Sequence, residues 1–228
     1  MRKIVTISEI NGTKIALVKR LHEHGDDVCV IEDAKFKSIN EQNEAWISLK
    51  KSVHSTYASY EAIRVEYGAK VHAFNGRWSN NPAKIAALEN VSKYGTSWIF
   101  EDDVYCKGWS EFFSKYDGGG ADFLCTVTQT SRYPWFVNGW LVGDRRHIST
   151  GVAGLYAFRI SQRAATAVIE RVRLASHLSH HELFVPWAIK DACLSHAQLA
   201  DEHAENMWHN HTARGDNGRS VEECENHE

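Results

Sequence analysis

The chain has little proline, three residues in 228, and no run of roughly 20 apolar residues that could cross a bilayer as a helix. The first shortage excludes collagen-like and proline-rich extended chains, and the second excludes a transmembrane helix. Apolar runs such as residues 121–127, with Asp122 inside, fall far short of that length. Cysteine is sparse and badly spaced for pairing: five residues, an odd number with no C-x-x-C pair, argue against a disulfide framework and a cysteine-built zinc site. Most of them are expected to be core thiols. Basic clusters are also lacking. The net charge is −3, and residues 201–228 hold eight acids against Arg214 and Arg219, so that segment carries −6 and the rest +3. Without a lysine- and arginine-rich stripe to neutralise phosphates, nucleic acid is not expected as a partner. No small-residue cleavage site follows Met1-Arg2-Lys3 before the β-branched run, so no secretory signal is read and a cytoplasmic location is expected.

What remains is an ordinary globular composition, 43% hydrophobic and 24% charged, in a length that suits one domain with one core. Apolar patterning alternates between two periods. Strands are expected at 3–7, 28–31, 70–74, 97–100, 122–128 and 152–158. Helices are expected at 13–24, closed by Gly25, over a long stretch at 41–66, from Asn81-Pro82 to Gly95, at 161–175 and around 185–199. Strands separated by helices imply an α/β fold: a Rossmann-like, mostly parallel central sheet with helices on both faces. Residues 1–211 are read as a single domain. Residues 212–228, polar and acidic without apolar periodicity, are read as a flexible tail.

Four segments carry chemistry. The sharpest is Trp98-Ile99-Phe100-Glu101-Asp102-Asp103, an apolar strand running straight into three acids. Ligands in open α/β sheets bind beyond the carboxyl ends of strands, and three adjacent carboxylates repel unless a hard divalent cation joins them. A solvated acidic turn is the plainer alternative. The second is 149–158, where Gly151 and Gly154 leave room for close backbone approach before a strand or simply mark a tight turn. In the third, Ser179-His180-His181-Glu182 followed by Pro186, Glu182 is either a capping-box residue or a general base. Because Pro186 would fall inside a helix begun at Ser179, Glu182 is expected to precede the helix proper. The fourth is Trp208-His209-Asn210-His211. Histidines two apart project oppositely on a strand, so one of the pair is expected to reach a given metal.

In this order the segments resemble the GT-A-fold glycosyltransferases, which use nucleotide-sugar donors. The resemblance runs over roughly 1–211 and rests on the sequence of motifs. It implies that Glu101-Asp102-Asp103 stands for the acidic motif that holds Mn²⁺ or Mg²⁺ against the donor diphosphate, with Glu101 in place of the usual first Asp. The metal ligands would then be Asp103 and either Glu101 or Asp102, completed by His209 or His211. It further implies that Gly151 and Gly154 border a bound sugar, that Asp102, Arg77 and Lys84 reach the donor, and that Glu182 is the catalytic base of an inverting enzyme. The partners implied are a UDP- or GDP-linked sugar and a carbohydrate or glycoconjugate acceptor, with an acceptor loop around Asp144, Arg145 and Arg146 after Trp135 and Trp140. Two other classes use some of the same residues. A metal-dependent phosphoester hydrolase could employ Glu101, Asp102, Asp103 and His209, and a carbohydrate-binding module would need no catalysis.

Overall fold

The computed structural model describes residues 1–25, 27–68, 80–106, 108–128, 152–176, 178, 181–200 and 207–209. Seven strands form one sheet in the order β3-β2-β1-β4-β7-β6-β8: β1 (Arg2–Ile7), β2 (Val28–Asp33), β3 (His54–Ala58), β4 (Ser97–Glu101), β6 (Phe123–Thr128), β7 (Val152–Ile160) and β8 (His196–Gln198). The first four in that order run parallel, β7 is antiparallel to both β4 and β6, and β8 is parallel to β6. The mostly parallel α/β sheet expected from the alternation is therefore present, with an antiparallel strand set into it. Two short strands, β5 (Val104–Cys106) and β9 (Met207–His209), pair antiparallel beside it.

Because side chains alternate along a strand, the central strands feed two separate cores. Ile4 and Ile99 join the layer beneath α4 (Tyr60–Tyr67), α5 (Asn80–Tyr94), α7 (Gln162–Leu174) and α8 (His181–Asp191). Their neighbours Val5, Trp98 and Phe100 join the opposite layer with α1 (Gly12–Glu23), α3 (Glu44–Leu49) and α6 (Trp109–Tyr116). That apolar residues on both parities are buried explains why these strands read as continuous hydrophobic runs. Helix starts obey local chemistry: Asn11, Asn43, Ser59 and Ser161 each cap a helix through a side-chain oxygen that accepts a backbone N–H.

Two expected helices are corrected. The stretch 41–66 is not one helix: α2 (Lys37–Asn40) ends before it, α3, β3 and α4 occupy it, and residues 54–58 pair with β2 from Cys29↔His54 to Asp33↔Ala58. Leu49 of α3, Val53 in the turn before β3 and Ile63 of α4 are buried. Residues 54–58 are extended instead: Thr56 and Tyr57 favour strand backbone, and the segment pairs along the edge of β2. The helix expected at 185–199 begins earlier and stops sooner. It spans His181–Asp191 with Pro186 inside, then turns through Cys193 at φ +54° into β8. Burial of Leu183, Phe184, Val185, Ala188 and Ile189 outweighs the hydrogen bond that Pro186 forfeits. Glu182 accordingly lies in the first turn of the helix rather than before it.

Three of the cysteines, Cys29, Cys106 and Cys125, are buried free thiols as expected, and Cys193 is exposed. Among the described residues no helix is long and apolar enough to cross a membrane. The expected strand 70–74, the acceptor loop with Trp135, Trp140, Asp144, Arg145 and Arg146, and the tail 212–228 lie outside the described residues.

Candidate active site

Thr6 of β1 stands in register with Glu101, so the three acids emerge at the carboxyl end of the parallel half of the sheet. The three then have different surroundings. Glu101 pairs with Lys84 Nζ at 3.0 Å, and Lys84, only 2% exposed, also donates to the Leu155 carbonyl at 2.7 Å. Lys84, expected to reach the donor, thus lies inside the protein and is paired with the acidic motif. The Leu155 N–H faces Glu182, so one residue of β7 accepts from the lysine through its carbonyl and donates to the glutamate through its N–H. Loss of water around Glu182, together with the negative charge of Glu101, pushes its carboxyl up to about 8, against the opposing pull of Lys84 and the Leu155 N–H.

Asp102 is engaged through one oxygen. Its Oδ2 accepts from the Ser8 N–H at 2.9 Å, from the Ser8 hydroxyl at 2.9 Å and from Lys14 Nζ at 2.7 Å. Asp103 is the reverse case: Oδ1 is buried with no hydrogen-bond partner among the described residues. Desolvation, then the charges of Glu101 and Asp102, push its carboxyl up to about 7. Four carboxyls and two ammonium groups therefore share one strand end, and the field is short of positive charge.

The remaining expected residues divide. Gly154 lies within β7 rather than before it, and a Cβ there would come within 2.8 Å of Tyr156 Cε1 and 3.3 Å of Thr126 Cβ. The room it leaves is taken by Tyr156 of the same strand and Thr126 of the adjoining β6. His209 belongs to β9, whose backbone pairs it with Val104, the residue after Asp103. Arg77, Gly151 and His211 lie outside the described residues. Among the described residues no three His, Cys, Asp or Glu side chains gather to hold a metal ion by themselves.

A second polar group went unread in the sequence. Asn40, fully buried, accepts the Ile10 N–H at 2.9 Å and donates to the Ser8 carbonyl and to Glu32, each at 3.1 Å; Glu32, also fully buried, accepts from Trp46 Nε1 at 3.0 Å. For the Ser8–Asp102 contacts one signal was available: Lys14 stands in the first turn of α1, where the helix dipole disfavours a cation unless a carboxylate answers it.

No family model matches the chain, and no curated protein matches it. Solved structures do. The galactosyltransferase LgtC, determined with donor and acceptor sugar analogues, superposes with a TM-score of 0.50 at 8% identity over 88% of this chain and 74% of that one. The bifunctional glycosyltransferase WbbM gives 0.50 at 9% identity over 87% of this chain and 38% of that one. Mouse xyloside xylosyltransferase 1 gives 0.46 at 9% identity over 87% and 84%. The chain therefore has the GT-A-like fold of LgtC and WbbM, with its acidic strand end at the mouth of the parallel half-sheet.

Proposed function

We propose that the chain is a glycosyltransferase that moves a sugar from a UDP- or GDP-linked donor to a hydroxyl acceptor with the aid of Mn²⁺ or Mg²⁺. The observation that carries this reading is the gathering of Glu101, Asp103, Lys84 and Glu182 at one strand end in a GT-A-like fold. The donor set fits a hard cation. Asp103 offers a buried, unpartnered oxygen, and one or two carboxylates suffice where phosphate oxygens complete the shell. Asp103 and Glu101 would hold the ion, with His209 or His211 completing its coordination. When bound, it supplies positive charge to the departing diphosphate.

The chain's own groups do the rest. Lys84 balances Glu101 and fixes its position. Arg77 is the cation assigned to the donor diphosphate. Glu182, whose carboxyl is pushed up to about 8, accepts the proton of the acceptor hydroxyl as that oxygen attacks the anomeric carbon. Calorimetric titration of UDP and of GDP, each with and without Mn²⁺, tests the proposal. Binding that requires the ion and vanishes in Asp103→Asn supports it, and binding indifferent to the ion would sink the metal-bridged form. A screen of nucleotide sugars for released nucleotide then identifies the donor.

A further inference from the structure

β3 stands at one end of the seven-stranded sheet, and α4 and α5 part above it. Between them lies a cleft of about 380 Å³, floored by Thr56 and walled by Ala62 and Glu66 of α4 and by Ala86 and Glu89 of α5. Thr56 stands in register with Ile31, which is buried beneath the same helices, so the cleft follows the strand on the α4–α5 face. Small side chains keep it open: Ala58 on the floor and Ala62 and Ala86 on the walls reach too little way across. Its volume falls within the roughly 300–1,000 Å³ of small-molecule sites. Three strand spacings of about 4.8 Å separate β3 from β4, which puts the cleft about 14 Å to the side of the acidic strand end.

Polar groups are spread along the cleft, and their charges cancel. Glu89 Oε1 accepts from the hydroxyl of buried Tyr67, and Glu66 Oε1 accepts from Arg173 Nη2 at 3.3 Å. Each acid is thus held by one oxygen, and the other oxygen takes no hydrogen bond among the described residues. Against the two acids stand Arg173 and Lys93, the latter two turns along α5 from Ala86. With two charges of each sign, the cleft has no net field to concentrate an ion. An apolar ligand would strip water from the carboxylates, the Thr56 hydroxyl and the Lys93 ammonium and replace none of it. Hydroxyls around the rim of a ligand, with C–H faces between them, satisfy both the polar groups and the alanines. We infer that this cleft binds a neutral saccharide, at a site separate from the acidic strand end and in need of neither nucleotide nor metal. The inference stands on the cleft alone and does not depend on the proposed transfer reaction.

The amide resonances of the full isotope-labelled chain, without nucleotide or metal, test it. Glucose, galactose, lactose and maltose are titrated separately to about 20 mM, well above the Kd of about 1 mM expected of a small open site. At least one of them should shift Thr56, Ala62 and Ala86 together. Ala62→Phe, at an exposed position where the new ring occupies the cleft, should abolish those shifts, and Glu66→Ala should weaken binding about fivefold, the scale of one hydrogen bond. No shift with any of the four sugars would overturn the inference, as would shifts confined to the acidic strand end or undiminished in Ala62→Phe. Tighter binding of spermidine or of inorganic phosphate to the cleft than of every sugar would make it an ion site and overturn the inference equally. UDP is absent throughout, so each of these outcomes can be read even if the proposed function fails.

Discussion

Asp122 precedes β6 on one flank of the sheet, and Asp103 follows β4 at its centre; both carboxylates are withdrawn from water, and their surroundings are opposite. Asp122 is 3% exposed and accepts from Arg163 Nε and Nη2 at 2.5 and 2.6 Å, from the Ser161 hydroxyl at 2.9 Å, and from the Ser195 N–H and hydroxyl at 3.1 and 2.7 Å. The Arg163 bonds lead in holding its carboxyl well below the usual range. It ties the starts of α7 and β8 to β6. Asp103 has an unpartnered oxygen and two acidic neighbours, and is pushed up to about 7. A carboxylate whose partners are all in place stabilises the fold, whereas one held short of partners stores a demand for positive charge that a ligand can meet.

The largest contrast is expected from asparagine at each position. Asp103→Asn should lower sugar transfer by about a thousandfold while leaving the melting temperature unchanged or slightly raised, since a neutral amide tolerates burial better. Asp122→Asn should lose about 3 kcal/mol of stability in urea titration, because Arg163 and both serines lose their common acceptor. If Asp103→Asn unfolds the protein and Asp122→Asn is silent, the division of labour is wrong.

Next in size is Lys84→Met, which leaves Glu101 partly buried beside Asp103 and Glu182 without its ion pair. A stability loss of about 3 kcal/mol is expected, with most of it restored by adding Glu101→Gln. Failure of that rescue would mean that Lys84 acts through the Leu155 carbonyl instead.

The pH dependence runs in opposite directions at the two sites. Glu182 and Asp103 bind protons more tightly folded than unfolded, so their contribution to stability should fall as pH rises from about 4 through about 7 to 8. Glu182→Gln should flatten that slope in thermal melts from pH 4 to 8. Asp122 binds its proton less tightly when folded, so its contribution is complete above about pH 4 and is lost in acid. Mn²⁺ affinity, followed by calorimetry, should rise with pH through about 7 as Asp103 deprotonates.

The smallest effect is expected at Gly154→Ala. The new methyl meets Tyr156 and Thr126 and should cost about 1–2 kcal/mol with little change in KM. A KM effect without a stability effect would restore the ligand-facing role expected from sequence.

Legibility in the sequence followed the range of the interactions. The strand at 97–101 and its acids were visible because burial on both faces leaves a continuous apolar run that ends abruptly in charge. The helix read from Asn81-Pro82 to Gly95 was visible to within one residue of its start at Asn80, because turn signals act over a few residues. Residues 54–58 were misread because an edge strand needs only a neighbour, and that neighbour is β2, more than twenty residues earlier. The burial of Lys84 was hidden because its partners, Glu101 and Leu155, lie 17 and 71 residues away. Asn40 looked like an ordinary turn residue until the loop it supports came into view.

The sequence by itself determined the α/β alternation, the two-sided burial of the central strands and the acidic end of β4, because each depends on period, propensity and local contrast. Only the tertiary structure decided how the three adjacent acids differ. Glu101 found a lysine, Asp102 found a turn, and Asp103 was left without a hydrogen-bond partner for Oδ1 among the described residues. Neighbours in sequence point to different surroundings, and the partners that set the charge of a carboxylate arrive from distant parts of the chain.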